Sequence, residues 1–146
     1  MLRPMPNIRW LLALITTVHT WLYDVSGGRI GHRARQFRFL MLEHVGRKSG
    51  RHYRVPLLYL ADGERWVLVA SNAGDRRHPA WWLNLRARPE AAIQVGTERA
   101  TVKAREAAGE ERARLWTRLV SDYRWYDDYQ RRAGRQIPVV ILERSG

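Results

Sequence analysis

Cysteine is absent from the 146 residues. That excludes disulfides, thiolate zinc sites and thiol catalysis, and suits a reducing compartment. Acidic side chains are scarce beside basic ones, 14 against 26, a net charge of +12 and a pI near 11.2. An excess of that sign attracts polyanions: nucleic acid, anionic lipid, or a phosphorylated or carboxylate-rich small molecule. Nucleotide-loop signatures are missing too. No G-x-x-x-x-G-K is present and no G-x-G-x-x-G opens a helix after a strand, so neither a P-loop nor a dinucleotide-binding Rossmann site is supported. Lys48-Ser49-Gly50 lacks the setting of a nucleophile elbow. The five His, at positions 19, 32, 44, 52 and 78, form no i, i+4 pair, and no metal site is expected. Chemistry without metal or thiol points to an organic cofactor, or to no chemistry.

Long apolar runs are lacking as well: none reaches the roughly 20 residues of a bilayer-crossing helix. The nearest, in NIRWLLALITTVHTWLYDVSGG, is interrupted by His19. It reads as an amphipathic N-terminal helix with Asn7 as N-cap and Gly27-Gly28 as its stop. Ile8, Leu11, Leu12, Ile15, Val18 and Leu22 make its stripe, which Trp10, Leu14 and Trp21 widen. Such a helix suits packing on the domain or on a second copy in a homodimer. Its Trp-flanked surface near Arg also fits peripheral contact with the inner face of the cell membrane. TWLYDVSGG is a poor signal-peptide cleavage site, so a cytoplasmic location is expected.

After residues 1–36, the helix and a basic linker, residues 37–146 read as one α+β domain. Six strands are expected: FRFLMLEHV, YRVPLLYLADG, ERWVLVAS, AAIQVG, RATVKAREA and IPVVILE. Asp62-Gly63 and Gly96-Thr97 mark two hairpin tips. Short connections favour a mostly antiparallel barrel or sandwich. Three helices flank it: HPAWWLNLRA with Pro79 in its first turn, GEERARLWTRLVSDY, and WYDDYQRRAG ending at Gly134. In the second, Ala108, Leu115, Trp116, Leu119, Val120 and Tyr123 share a face.

Three stretches carry chemistry. Between the first two strands lies Gly46-Arg47-Lys48-Ser49-Gly50. It is either a charged, solvated hairpin tip or an anion seat, with backbone N–H groups pointed together and Arg47, Lys48, Ser49 and Arg54 adding donors. Next comes ASNAGDRRHPAWWLNL, where Trp81 and Trp82 stand about 100° apart on a helix: either one fills the core and the other lines a groove, or both pack in the core with the two Arg of the loop solvated. Last, Tyr123, Tyr126 and Tyr129 fall at i, i+3, i+6, a helical stripe of phenols suited to stacking a flat substrate and donating hydrogen bonds, or to core packing.

In this order the stretches resemble the deazaflavin (coenzyme F420)-dependent nitroreductases, also described as F420H2-dependent quinone reductases. The likeness runs through GRKSG, VPLLYL, DGERWVLVAS, HPAWWLNLRARPEAAIQVG, GEERARLWTRLVSDY with the tyrosines after it, and IPVV, roughly residues 37 to 142. The resemblance implies a six-stranded split β-barrel binding F420, a 5-deazaflavin with a phosphate and an oligoglutamate tail. It assigns the tail to Arg47, Lys48 and Ser49. The ring falls to Val55, Pro56, Leu57 and Leu58, to Val69, Ala70, Ser71 and Asn72, and to Ala80, Trp81, Trp82, Leu83 and Asn84. It places the substrate beside Tyr123, Tyr126 and Tyr129. Two positions depart from the family pattern: Tyr53 stands where an Arg is usual, leaving Arg54 or Arg51 to replace it, and Asn72 stands where a Lys is common, with Arg76 or Arg77 nearby.

The expected reaction is hydride transfer from reduced F420 to a quinone, nitroaromatic or activated enone. Ser71, Tyr126 and Tyr129 are the expected donors to the acceptor oxygen, with Tyr126 also beside the cofactor and Tyr123 lining the pocket. Rival readings are an FMN-binding split-barrel oxidoreductase, a non-catalytic basic barrel binding nucleic acid, and a protein that sequesters F420. Nucleic acid is not the expected partner.

Overall fold

The computed structural model describes residues 33–34 and 37–145. The expected N-terminal helix, and with it most of the segment assigned to residues 1–36, lies outside the described residues. The described strands are β1 (Arg33–Ala34), β2 (Phe37–Val45), β3 (His52–Leu58), β4 (Leu60–Asp62), β5 (Arg65–Val69), β6 (Glu90–Val95), β7 (Glu98–Glu106) and β8 (Val139–Arg144). The helices are α1 (Ala80–Ala87), α2 (Gly109–Asp122) and α3 (Trp125–Ala133), with a short 3-10 turn at Asn72–Gly74. The molecule is α+β, and its described strand pairings are antiparallel.

Strands lie in the order β1-β2-β6-β7-β8-β5-β4, with β3 also paired to β2. The expected single strand 53–63 is divided at Tyr59. On one side of it β3 pairs with β2, Leu57 opposite Leu40; on the other β4 pairs with β5, Leu60 opposite Val67. One bent ribbon thus links β2 to β5. Tyr59 holds the bend, its N–H donating to Arg38 O (2.9 Å) and its carbonyl accepting the Tyr123 hydroxyl (3.0 Å).

Two apolar clusters explain why VLVA and VVIL carry no polar alternation. Side chains alternate across a strand. Leu68, Ala70, Val140 and Leu142 join Leu40, Leu42, Trp81, Trp82 and Leu85 in one cluster. Val67, Val69, Val139 and Ile141 join Leu115, Leu119, Tyr123 and Tyr126 in the other. β5 and β8 are therefore covered on both faces, by α1 on one side and by α2 and α3 on the other. On α2 only Leu115 and Leu119 are fully buried, while Trp116 and Val120 are half-buried at the margin.

Local signals place the ends of these elements. Pro79 stands just before the first residue of α1, as N-cap rather than inside the first turn. Gly134 closes α3 in the left-handed conformation (φ 65°). At the β4–β5 hairpin Asp62 is still paired, opposite Arg65, so the two-residue loop is Gly63-Glu64 and the positive φ falls on Gly63. Asp62 instead anchors the hairpin to α2, accepting from Arg65, Arg114 (3.0 Å) and Arg118 (2.9 Å). Among the described residues no helix is long and apolar enough to cross a membrane, and no three potential metal ligands cluster.

Candidate functional site

The basic turn leaves β2 at Val45 and returns into β3 at His52. It closes on itself through Gly46 N–H to Arg51 O (2.8 Å) and Gly50 N–H to Gly46 O (2.9 Å). A Cβ at Gly46 would lie 2.6 Å from Ser49 Oγ, so only glycine lets the serine hydroxyl fold back over the turn, where it accepts the Arg51 N–H (3.1 Å). Arg47, Lys48 and Ser49 are exposed at the tip.

What fixes the turn comes from α1. Asn84 is buried (4% exposed), and its Oδ1 accepts from both Arg47 N–H (3.1 Å) and Arg47 Nη1 (2.9 Å). Two donors on that atom settle the amide orientation, so Nδ2 is the group facing His44 Nδ1 at 3.0 Å. A donor there requires His44 to be neutral, with its proton on Nε2. Burial acts in the same sense and pushes the His44 pKa below its usual 6.5. Tyr53, directly opposite in the strand register, stacks on the imidazole with ring centroids 5.6 Å apart.

Around this network opens a cleft of about 470 Å³, lined by His44, Gly46, Arg47, Lys48, Ser49, Tyr53, Arg54, Val55, Ala80, Trp81 and Asn84. Eight residues singled out from the sequence meet here: Arg47, Lys48, Ser49, Arg54, Val55, Ala80, Trp81 and Asn84. The lining combines the cations of Arg47, Lys48 and Arg54 with the apolar side chains of Val55, Ala80 and Trp81. Trp81 and Trp82, edge-on at 6.5 Å, are both buried in the core (7% and 4% exposed), and Trp81 also borders the cleft. Arg54 pairs with Glu43 (3.4 Å), a carboxylate it shares with Arg99 (2.7 Å). Pro56, Leu57 and Leu58 continue along β3 away from the basic turn, and Leu83 lies half-buried on α1.

Ser71 and Asn72 belong to a second locus. After Val69 and Ala70 leave β5, Ser71 is buried (9% exposed) and enters a turn in which Asn72 and Ala73 both take positive φ (48° and 54°). Such conformations cost about 1–3 kcal/mol each in residues other than glycine, so surrounding contacts must impose them. One contact is with α3. A Cβ on Gly74 would sit 3.2 Å from Tyr129 Cα and 3.3 Å from Tyr129 O, which brings the serine turn and Tyr129 together.

The three tyrosines do not form one helical stripe. α2 ends at Asp122 and α3 begins at Trp125, and Tyr123 between them is not helical (φ −133°, ψ 85°). Its hydroxyl is spent on the Tyr59 carbonyl, which removes it as a donor to a substrate. Tyr123 borders a different, larger cleft of about 820 Å³ near the start of β2, with Phe37, Arg38 and Trp125. Tyr126 is buried (5% exposed), its ring 5.8 Å from Tyr123 and 6.2 Å from Tyr129. Burial pushes its phenol pKa well above 10, keeping it a protonated donor at neutral pH. Sequence reading missed His44 and also Arg135, whose guanidinium donates to the Ala70 and Ser71 carbonyls (3.2 and 3.1 Å) at the second locus, and it named Tyr53 only as a departure from the family pattern. A lone His on a strand and an Arg among twenty-six cations carry no spacing signal.

The chain matches the family model described as F420H(2)-dependent quinone reductase over residues 15–144. An F420H(2)-dependent quinone reductase of Mycobacterium tuberculosis is 38% identical over 132 residues, covering 87% of this chain and 88% of its own. A solved structure described as an F420-H2 dependent reductase superposes with a TM-score of 0.67 at 37% identity, covering 72% of this chain and 93% of that one. Another, described as a domain-swapped dimer, gives 0.70 at 31% identity over 93% of this chain and 98% of its own.

Proposed function

The chain belongs to the F420H(2)-dependent quinone reductase family, and on that premise we propose that the cleft between the basic turn and α1 seats reduced F420 for hydride transfer to a menaquinone-like quinone. Nitroaromatics and activated enones are further acceptors of the same electronic kind. The observation that carries the proposal is the Arg47–Asn84–His44 network, which holds a cationic turn in place at a cleft also lined by Val55, Ala80 and Trp81. A deazaflavin with a phosphate and glutamate tail needs both surfaces, so the residues fit the group.

Bound there, reduced F420 supplies a hydride from C5 of its ring. Arg47 and Lys48 bind the anionic tail through charge-assisted hydrogen bonds, with the Ser49 hydroxyl as a further donor. Val55, Ala80 and Trp81 exclude water from one side of the flat ring. Ser71 Oγ and the phenols of Tyr129 and Tyr126 donate to the acceptor oxygen as it gains charge. In this reading residues 37–146 are the cofactor-binding domain. Counting the bent β3–β4 ribbon as one strand beside β2, β5, β6, β7 and β8, the same reading takes the sheet as a six-stranded split barrel, with the two-residue β1 outside it. The domain-swapped dimer among its structural relatives supports pairing of two copies. A cytoplasmic protein with residues 1–36 touching the membrane face completes the proposal.

Fluorescence titration of the full chain with F420, with FMN and a single-stranded oligonucleotide as controls, tests it. F420 is expected to bind, and Lys48→Ala to weaken it roughly tenfold, the scale of one charge-assisted hydrogen bond lost. Uptake of FMN or oligonucleotide without F420 would overturn the reading.

A further inference from the structure

Arg135 lies between α3 and β8, directly after Gly134. Its backbone is fixed by Gln130 of α3, whose Nε2 donates to Arg135 O (2.6 Å) and whose Oε1 accepts from Ile137 N–H (2.9 Å). The side chain reaches over the segment between β5 and α1. Nε donates to Asp75 O (3.1 Å), and Nη2 sits within reach of three carbonyls, Ala70 (3.2 Å), Ser71 (3.1 Å) and Arg77 (3.2 Å). Nη1 faces His78 Nδ1 at 3.1 Å. One planar group therefore clasps both ends of a nine-residue loop, 70–78.

That loop needs a clasp. It carries two consecutive non-glycine residues at positive φ, Asn72 and Ala73, directly after Ser71. Its internal bonds are Gly74 N–H to Ser71 O (2.9 Å), Asp75 N–H to Asn72 O (3.0 Å) and Arg77 N–H to Asp75 Oδ1 (2.8 Å), with Asn72 Nδ2 donating across the loop to Arg77 O (3.0 Å), and none of them reaches Ala70 or His78. Arg135 joins the end that leaves the sheet to the end that enters α1. A guanidinium suits this task because its donors lie in a rigid fan, which an ammonium does not reproduce.

We propose that Arg135 is a positioning residue of the hydride-transfer site: by clasping the 70–78 loop it holds Ser71 where its hydroxyl meets the acceptor, and neutral His78 completes the clasp as an acceptor. The inference rests on the reading of Ser71 as the donor. Arg135 Nη1 is always a donor, so His78 Nδ1 must present its lone pair. The charged groups facing His78 are Arg135, Arg86 of α1 and Glu106 of β7, while Asp75 faces Arg135. Burial, then Arg135 and Arg86, hold the His78 pKa below 6.5 against Glu106. Acidification forces a proton onto the imidazole and sets it against the guanidinium.

Amide hydrogen exchange on the full chain without cofactor reads the clasp directly. Arg135→Ala is expected to lower protection of residues 71–78 at least tenfold, with β2 and β3 unchanged, and Arg135→Lys to fall between. In the parent chain that protection is expected to decline as pH drops below about 6.5. His78→Asn, whose Oδ1 accepts without titrating, is expected to abolish the decline. In turnover with F420 and a menaquinone analogue, Arg135→Ala is expected to lower kcat at least tenfold and leave the F420 Kd within twofold. Unchanged protection, protection lost across the whole sheet, or a kcat equal to the parent's would overturn the inference. An F420 Kd weakened as much as kcat would overturn it too, placing the loop at the cofactor. If the parent fails to bind F420, the functional reading falls with that result, and the exchange data decide separately whether Arg135 holds the loop.

Discussion

Asn84 shows how one buried amide governs an exposed charge. Its side chain bonds the Arg47 backbone and guanidinium on one end and His44 on the other, 37 and 40 residues away in sequence. Asn84→Leu keeps the branched outline and removes all three bonds, leaving the His44 ring nitrogen unpaired in a buried site. A loss of about 1–3 kcal/mol in urea unfolding is expected, with weaker F420 binding as the turn loosens. Asn84→Asp separates charge from shape. A carboxylate still accepts from Arg47 but cannot donate to His44, so the imidazole gains by taking a proton. NMR titration is expected to move the His44 pKa from below 6.5 to above it. A value still below 6.5 in that variant would refute the arrangement.

At the scale of elements, the junction of α3 with the serine turn rests on Gly74. Its φ of 81° and its 3.2 Å approach to the Tyr129 backbone demand glycine twice, once for conformation and once for space. Gly63 needs it only for conformation: φ is 61° and nothing stands within 4 Å of a Cβ there. Gly63→Ala is expected to cost about 1–2 kcal/mol. Gly74→Ala is expected to cost more, because Tyr129 backbone has to move, and to lower activity as α3 shifts from Ser71. Thermal melts of the two variants measure the difference, and equal costs would show that the close approach is not maintained. The tyrosine pattern belongs to this scale too. An i, i+3, i+6 spacing reads as one helix, but Tyr123 sits in the break where its hydroxyl satisfies the Tyr59 carbonyl. A buried carbonyl 64 residues away is invisible to local periodicity.

For the whole molecule, charge decides behaviour in acid. Asp62 is held well below the usual carboxylate range by its hydrogen bond to Arg114, then by Arg65. Glu111 is drawn down to about 2 by Arg105 and then Arg65. Both folded values lie below the ordinary 3.8 and 4.5. Their stabilisation is therefore complete above about pH 4.5 and is lost as pH falls toward 2, because the unfolded chain takes up protons first. Asp62→Asn is expected to lower stability at neutral pH and flatten the acid limb, as followed by thermal melts between those limits. A variant with the parent's acid profile would show that the hairpin–α2 contact does not depend on this carboxylate.

The α+β class, the strand segments and the three helices were legible because β-branched apolar runs, Gly-bearing turns and the Gly134 cap are local physics that a sequence displays directly. So was the basic turn, whose cations and bounding glycines lie within five consecutive residues, and so were the ordered motifs that carry the family likeness. Tertiary structure alone decided where the 53–63 strand bends, since that depends on Arg38 and Tyr123 meeting Tyr59. It alone buried both Trp81 and Trp82 in the core while letting Trp81 border the cleft, engaged Arg54 with Glu43, and recruited His44, Asn84 and Arg135 as supports. Each of these depends on partners brought together from distant positions, and the geometry of such a contact exists only once the chain has folded.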